Sequence, residues 1–276
     1  MRYFSAMATL EELEAHLGSL SSAVLGYSGG VDSAVLAVVA ARCLGPSRFL
    51  AVIGRSASYP EVQWRTAVDL AARFEVPLLE VDTQELSDPE YIANPLNRCF
   101  FCKSELWRVL GAVAADRGFD VLLDGTNADD LREHRPGASA GAARRVRSPF
   151  VELGWSKVDV RAAARRLELP TWDAPAAPCL SSRIQYGLAV TPDRLRQVEA
   201  AEGIIREYGI VGDLRVRHLG DRARVEVLPA ERDILEACWA EASGRLRALG
   251  FVEAELDPLG YRRGGLLPLA SESIGG

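Results

Sequence analysis

A parallel sheet with helices on both faces, followed by a smaller α+β domain, is the fold this sequence predicts. Three observations predict it. Short apolar strands alternate with helical segments through the first half of the chain, a Gly-rich turn follows the first strand at once, and two adjacent period-two strands take over after about residue 188. Residues 10–17 have Leu10, Leu13 and Leu17 on one helical face and stop near Gly18. Ala23–Tyr27 is the first strand, and an apolar helix over about Ser33–Cys43 runs to Gly45-Pro46. Phe49–Ile53 and Leu78–Val81 are the next strands, on either side of a helix over Pro60–Phe74 whose Pro suits a helix start. Lys103–Arg117 is a helix ended by Gly118, and Val121–Leu123 a fourth strand. Residues 129–188 are loop-rich, with one helix at about Lys157–Leu167. Beyond them the pattern predicts a helix (Thr191–Tyr208), a hairpin (Leu214–His218 with Ala223–Leu228 around Gly220-Asp221), a helix (Glu231–Leu249) and a strand (Phe251–Leu256). Two domains are expected, 1–188 and 189–276, with Gly264–Gly276 frayed.

The composition narrows the class. The 276 residues hold 38 acidic against 32 basic side chains, a formal charge of −6, which argues against a surface built to grip nucleic acid. With 48% hydrophobic and 25% charged residues the chain has the ordinary globular mixture, so wholesale disorder is excluded. No apolar run approaches the roughly 18–20 residues that cross a bilayer, and Met1–Glu14 has no apolar signal core, so a cytoplasmic location without membrane contact is expected. Five cysteines in such a chain do not form a disulfide framework. Only Lys103 and Lys157 are lysines, so any chemistry that needs an ammonium group has two candidates.

Ser28-Gly29-Gly30-Val31-Asp32-Ser33 is the strongest local signal. It joins a strand to a helix, where backbone N–H groups and the helix dipole favour an anion and glycines admit phosphate oxygens closely. The absence of Gly-Lys-Ser/Thr excludes a Walker loop. A simple capped Gly-Gly turn is the bland reading, and the full hexapeptide after a buried strand outweighs it. Cys99-x-x-Cys102 alone fits a redox pair, half a zinc site or chance. His16, His134 and His218 have no paired spacing. Asp124–Asp130 follows a strand at the sheet edge where open α/β folds bind ligands, and reads equally as an Asx-rich turn. Arg215 and Arg217 alternate on one strand, so both face one side; an anion or plain solvation explains that.

The hexapeptide resembles the PP-loop of ATP pyrophosphatases, which activate a substrate oxygen as an adenylate and release pyrophosphate. The resemblance extends through Asn97–Lys103, Asp124–Asp130, Arg135-Pro136-Gly137, Arg147-Ser148-Pro149 and Cys179-Leu180-Ser181-Ser182-Arg183 to Tyr186-Gly187, in the order found in the LarE family of sulfur transferases. It covers roughly residues 10–265; Ala142–Arg145 departs from it, because an acidic residue is expected there.

The resemblance implies ATP held by Ser28, Gly29, Gly30, Val31, Asp32, Ser33, Gly125 and Thr126. It implies Mg²⁺ near Asp129 or Asp130, with Glu202 and Glu226 as further candidates. Ser182, Arg183, Arg215, Arg217 and Arg262 would meet the substrate, a small-molecule nucleotide, pyridinium-3,5-biscarboxylic acid mononucleotide. Some family members have only the equivalent of Cys179 and sacrifice its sulfur; others carry three cysteines. This chain has Cys99, Cys102 and Cys179, the set that would hold a [4Fe–4S] cluster through three irons, with Cys179 at the centre of the catalysis. Cys43 and Cys238 read as packing residues. The implied product is a thiocarboxylate and the implied assembly a homo-oligomer such as a hexamer. The competing enzyme reading is tRNA thiolation, against which the acidic balance counts.

Overall fold

The computed structural model describes residues 9–132, 138–175, 178–262 and 265–266. His134 and Arg135-Pro136-Gly137 lie outside the described residues, as does most of Gly264–Gly276. The chain divides into two compact units, Met1–Glu85 with Asn97–Ala177, and Leu86–Leu96 with Pro178–Gly276.

In the first unit, β1 (Ala23–Gly26), β2 (Phe49–Arg55), β3 (Leu78–Asp82) and β4 (Val121–Leu123) form a parallel sheet in the order β3-β2-β1-β4. Period-two alternation sends side chains to opposite faces. Ala23, Leu25, Phe49, Ala51 and Ile53 pack beneath α1 (Leu10–Gly18), α2 (Val31–Leu44), α3 (Glu61–Arg73) and the later α8 (Lys157–Arg166). Val24, Leu50 and Val52 pack instead against Trp107 and Leu110 of α5 (Arg98–Arg117) and Ala140 of α6 (Ala138–Ala143). Helices therefore cover both faces, as the alternating pattern predicts. Helix α1 starts on a capping box, with Glu12 N–H donating to Thr9 Oγ1 and Thr9 N–H donating to Glu12. Helix α2 is buried on nearly every side, which explains its lack of a polar face.

Helix α5 begins at Arg98, five residues before the expected start, so Cys99 and Cys102 lie within its first five residues. The start was hard to read because the Asn97 side chain makes no capping bond. Gly118, in the left-handed region, ends the helix as predicted. Short helices α4 (Pro89–Ile92) and α7 (Pro149–Glu152) were not foreseen; each has Pro at its start and is too short for periodicity to show.

In the second unit, β5 (Leu214–His218) pairs antiparallel with β6 (Arg222–Val227), which pairs parallel with β7 (Glu253–Leu256). Helices α9 (Pro192–Arg206) and α10 (Arg232–Ala248) supply Ile205, Leu235 and Leu246 to a core with Val216 and Val225. The expected division at 188/189 differs from this partition. Residues 86–96 and 178–188 join the second unit because buried Asn94 donates its amide to the carbonyls of Ile184 (3.3 Å), Gln185 (2.8 Å) and Leu188 (3.0 Å). Val190 N–H also donates to Ile92 O (2.9 Å). Among the described residues, no helix is long and apolar enough to cross a membrane.

Candidate functional site

The turn after β1 closes around one hydroxyl. Ser33 Oγ accepts from Ser28 N–H (3.2 Å) and donates to Gly30 O (3.0 Å). Gly29 has φ +67°, and a Cβ there would lie 2.4 Å from Ala67 Cβ of α3, so glycine is required twice over. From the β2–α3 side, Tyr59 OH (2.8 Å) and Gln63 Nε2 (3.2 Å) donate to Ser28 O. Burial raises the Tyr27 and Tyr59 phenols well above the ordinary tyrosine range, so both stay donors, Tyr27 to Ala67 O (3.0 Å). On the other side Gly125 lies against the N-terminus of α2; a Cβ there would stand 3.0 Å from Ser33 N.

These segments border a cleft of about 220 Å³. Ser28, Gly30, Asp32 and Ser33 line one wall, Gly125 and Thr126 another, and α5 adds Lys103, Leu106 and Trp107. Of the residues expected to hold ATP, these six therefore border one cleft, while Val31 is the first residue of α2. Asp32 accepts from Asn127 Nδ2 (3.1 Å) and forms an ion pair with Lys157 Nζ. Both lysines of the chain thus stand at this site. Sequence reasoning gave neither a role, although their scarcity among 32 basic residues was the available signal. Trp107 was also missed, and Asn127 and Asp124 were read only as part of the Asp124–Asp130 segment, with no role of their own. Asp124 accepts from Thr126 N–H (3.1 Å), Thr126 Oγ1 (2.9 Å) and Ser148 Oγ (2.6 Å), which confirms the Asx-turn reading there. Asp130 lines the cleft and its carboxylate accepts from Asn127 N–H (3.1 Å). Asp129 is not among the lining residues; it accepts the Lys157 N–H (2.8 Å) at the start of α8.

Cys99 and Cys102 lie three residues apart at the start of α5, hence on one face; Lys103 follows one turn after Cys99, and Leu106 one turn after Cys102. Cys99 is exposed and Cys102 half-buried. In the second unit, Cys179 precedes the turn Leu180–Arg183, and its carbonyl accepts from Ser182 N–H (3.0 Å), Ser182 Oγ (2.7 Å) and Arg183 Nη1 (3.0 Å). Among the described residues, no group of three His, Cys, Asp or Glu side chains is disposed to hold a metal ion. Cys43 packs against the core of the first unit, where burial pushes its thiol up, and Cys238 packs against that of the second.

Arg183, Arg215 and Arg217 of the second unit are buried. Arg183 lays its fork on Glu202 (2.9 and 3.1 Å), whose Oε1 also accepts Val216 N–H (3.1 Å). Arg217 donates to Glu226 (2.9 Å from Nε) and to Ser182 O (3.1 Å), and Glu226 is 0% exposed. Arg224 and Arg262 both approach Asp257, at 3.3 and 3.5 Å. Arg215, buried on β5, stacks over Tyr261 at 5.0 Å; desolvation and then neighbouring Arg183 pull its guanidinium below the usual range. Glu202 and Glu226 are thus each engaged by an arginine.

A family model described as NAD synthase matches residues 6–89, the segment that carries the loop. An uncharacterised protein of Synechocystis is 39% identical over 93% of this chain and 96% of its own length. The GMP synthase of Aeropyrum pernix is 31% identical over 67% of this chain, but over only 39% of its own. The pyridinium-3,5-bisthiocarboxylic acid mononucleotide synthase of Lactiplantibacillus plantarum is 32% identical over 94% of this chain and 95% of its own. Both units are covered by that last match, and the loop geometry agrees with it, so the chain belongs to the LarE family of PP-loop, ATP-utilising enzymes.

Proposed function

We propose that the chain is an ATP-dependent sulfur transferase that converts the carboxylates of pyridinium-3,5-biscarboxylic acid mononucleotide to thiocarboxylates. The single observation that carries this reading is the cleft around Ser28–Ser33, in a chain similar over nearly its whole length to a bisthiocarboxylate synthase. The turn's N–H groups and the start of α2 hold the ATP phosphates. Lys157, bound to Asp32, and Lys103 add the positive charge that a Walker lysine supplies elsewhere. Asp32 and Asp130, carboxylates that line the cleft, would hold Mg²⁺ with the nucleotide; hard oxygen donors suit that ion.

A substrate carboxylate oxygen attacks the α-phosphorus and pyrophosphate leaves. The resulting acyl-adenylate has AMP as a good leaving group, whereas a carboxylate has only oxide. Sulfide then adds to the acyl carbon, AMP departs with its electron pair, and a thiocarboxylate remains. Ser182, Arg183, Arg215, Arg217 and Arg262 recognise the substrate's phosphate and carboxylates, with Glu202 and Glu226 holding Arg183 and Arg217 in place. On the family resemblance, Cys99, Cys102 and Cys179 are the three thiols that would hold a [4Fe–4S] cluster, two of them three residues apart on α5. Bound there, the cluster supplies an iron site open to exogenous sulfide. The enzyme works in the cytoplasm as a homo-oligomer, features that rest on the family resemblance.

Anaerobic turnover with ATP, Mg²⁺, substrate and sulfide tests the reading. More than one thiocarboxylate per chain with unchanged intact mass is expected. One product per chain, with loss of hydrogen sulfide at Cys179 and full activity of Cys99→Ala, would replace the cluster by sacrificial transfer. No AMP or pyrophosphate at all would remove the activity.

A further inference from the structure

Asn127 is 2% exposed and every polar atom of its amide is engaged inside the first unit. Its Oδ1 accepts from the backbone N–H groups of Asp129 (3.0 Å) and Asp130 (3.3 Å). Two N–H donors on one atom fix that atom as the oxygen, so the other must be the NH₂, and it faces Asp32 Oδ1 at 3.1 Å. The bonds then continue in a circuit. Asp129 Oδ2 accepts from Lys157 N–H, and Lys157 Nζ returns to Asp32 Oδ2. Four residues from three separate segments close one ring of hydrogen bonds, and the PP-loop carboxylate is gripped on both oxygens.

We infer that Asn127 is a positioning residue that sets the Asp32 carboxylate, with one oxygen held by the buried amide and the other turned to the ammonium of Lys157. Aspartate rotates about χ1 and χ2, and a carboxylate held by Lys157 alone would follow that flexible side chain. The amide removes this freedom, because its own orientation is locked by backbone donors that cannot move without unmaking the turn after β4. Asp129 has the matching part at the other end of the ring: it fixes the start of α8 and so the origin of the Lys157 side chain. Its carboxylate thereby gains a role besides any contact with a cation. The role of Asn127 rests on the ATP reading of the cleft.

A double-mutant cycle separates action through Asp32 from simple support of the loop. ATP with Mg²⁺ is titrated calorimetrically, into the millimolar range, into wild type, Asn127→Ala, Asp32→Ala and the double variant. Asn127→Ala is expected to weaken ATP binding roughly ten-fold in the wild-type background, and less than about two-fold once Asp32 is absent. Asn127→Asp, which keeps both backbone bonds to Oδ1 but turns the donor into a charged oxygen facing Asp32, takes the place of the alanine variant if that one does not fold, with a larger loss expected beside Asp32 and again less than about two-fold once Asp32 is absent. Equal losses in both backgrounds, or no loss in either, would overturn the inference while leaving the ATP site standing. A folded wild-type chain that binds no ATP would overturn both.

Discussion

The two units present charge in opposite ways. Around the cleft of the first unit the wall is the backbone turn Ser28–Ser33, and the charged groups Asp32 and Lys103 line open space, with Lys157 paired to Asp32. In the second unit three arginines are interior: Arg183, Arg215 and Arg217 are each at most 6% exposed, and Glu226 is fully buried. The difference teaches where function and stability separate. A cleft-lining charge can be removed with little cost to the fold, whereas a buried ion pair holds the fold and any ligand-binding role together.

The largest contrast is expected at Asp32. Asp32→Ala should lower pyrophosphate release by at least about a hundred-fold while the melting temperature stays near that of wild type. Arg217→Ala should do the reverse: it strands Glu226 without its close partner and costs about 3–5 kcal/mol of stability, read by urea denaturation. If Asp32→Ala unfolds the chain and Arg217→Ala does not, the contrast is wrong.

Arg215 sharpens the comparison. Its substitution by Ala should weaken substrate binding about ten-fold and leave ATP binding unchanged, by parallel titrations of the two ligands. Gly29→Ala attacks the backbone side of the first site. The left-handed conformation and the clash with Ala67 together should cost about 1–3 kcal/mol and reduce ATP affinity, and Ala67→Gly in the same chain should recover the steric part.

The effect that is absent at neutral pH, and so smallest there, concerns His218. His218 Nε2 donates to Gln197 Oε1 (2.9 Å), because the Gln197 amide NH₂ is committed to Leu249 O, and the ring packs edge-on against Phe251. Desolvation, then the nearby Arg194 charge, lower its pKa from 6.5 to about 4. The folded state therefore resists the proton that the unfolded chain takes up. His218 costs nothing above about pH 6.5 and lowers stability progressively as pH falls from 6.5 toward 4, by up to about 3 kcal/mol. Thermal melts across that range should fall less steeply for His218→Phe than for wild type; parallel curves would contradict the assignment.

Much of the first unit was legible because its signals are local. Strand, Gly-rich turn and apolar helix follow one another between Ala23 and Leu44, and the loop's chemistry is contiguous in sequence. The contacts of Lys157 and Asn127 with Asp32 were not, since they bridge 125 and 95 positions and no periodicity encodes them. The start of α5 was misplaced because no side chain caps it, so the cysteine pair fell outside the expected helix. In the second unit the alternation of Arg215 and Arg217 was visible, but their burial was not: sequence shows which way a strand residue faces, not whether a carboxylate waits there. The unit boundary was missed for the same reason, since Asn94 reaches carbonyls some 90 residues away.

Oxygen tracing tests the central claim most directly. Substrate labelled with ¹⁸O in its carboxylates is turned over with ATP, Mg²⁺ and sulfide, and the nucleotide and inorganic products are weighed by mass spectrometry. If the first unit adenylates the carboxylate, each turnover moves one labelled oxygen onto AMP, and the pyrophosphate stays unlabelled. Label in inorganic phosphate with ADP as co-product, or AMP without label, would contradict the account.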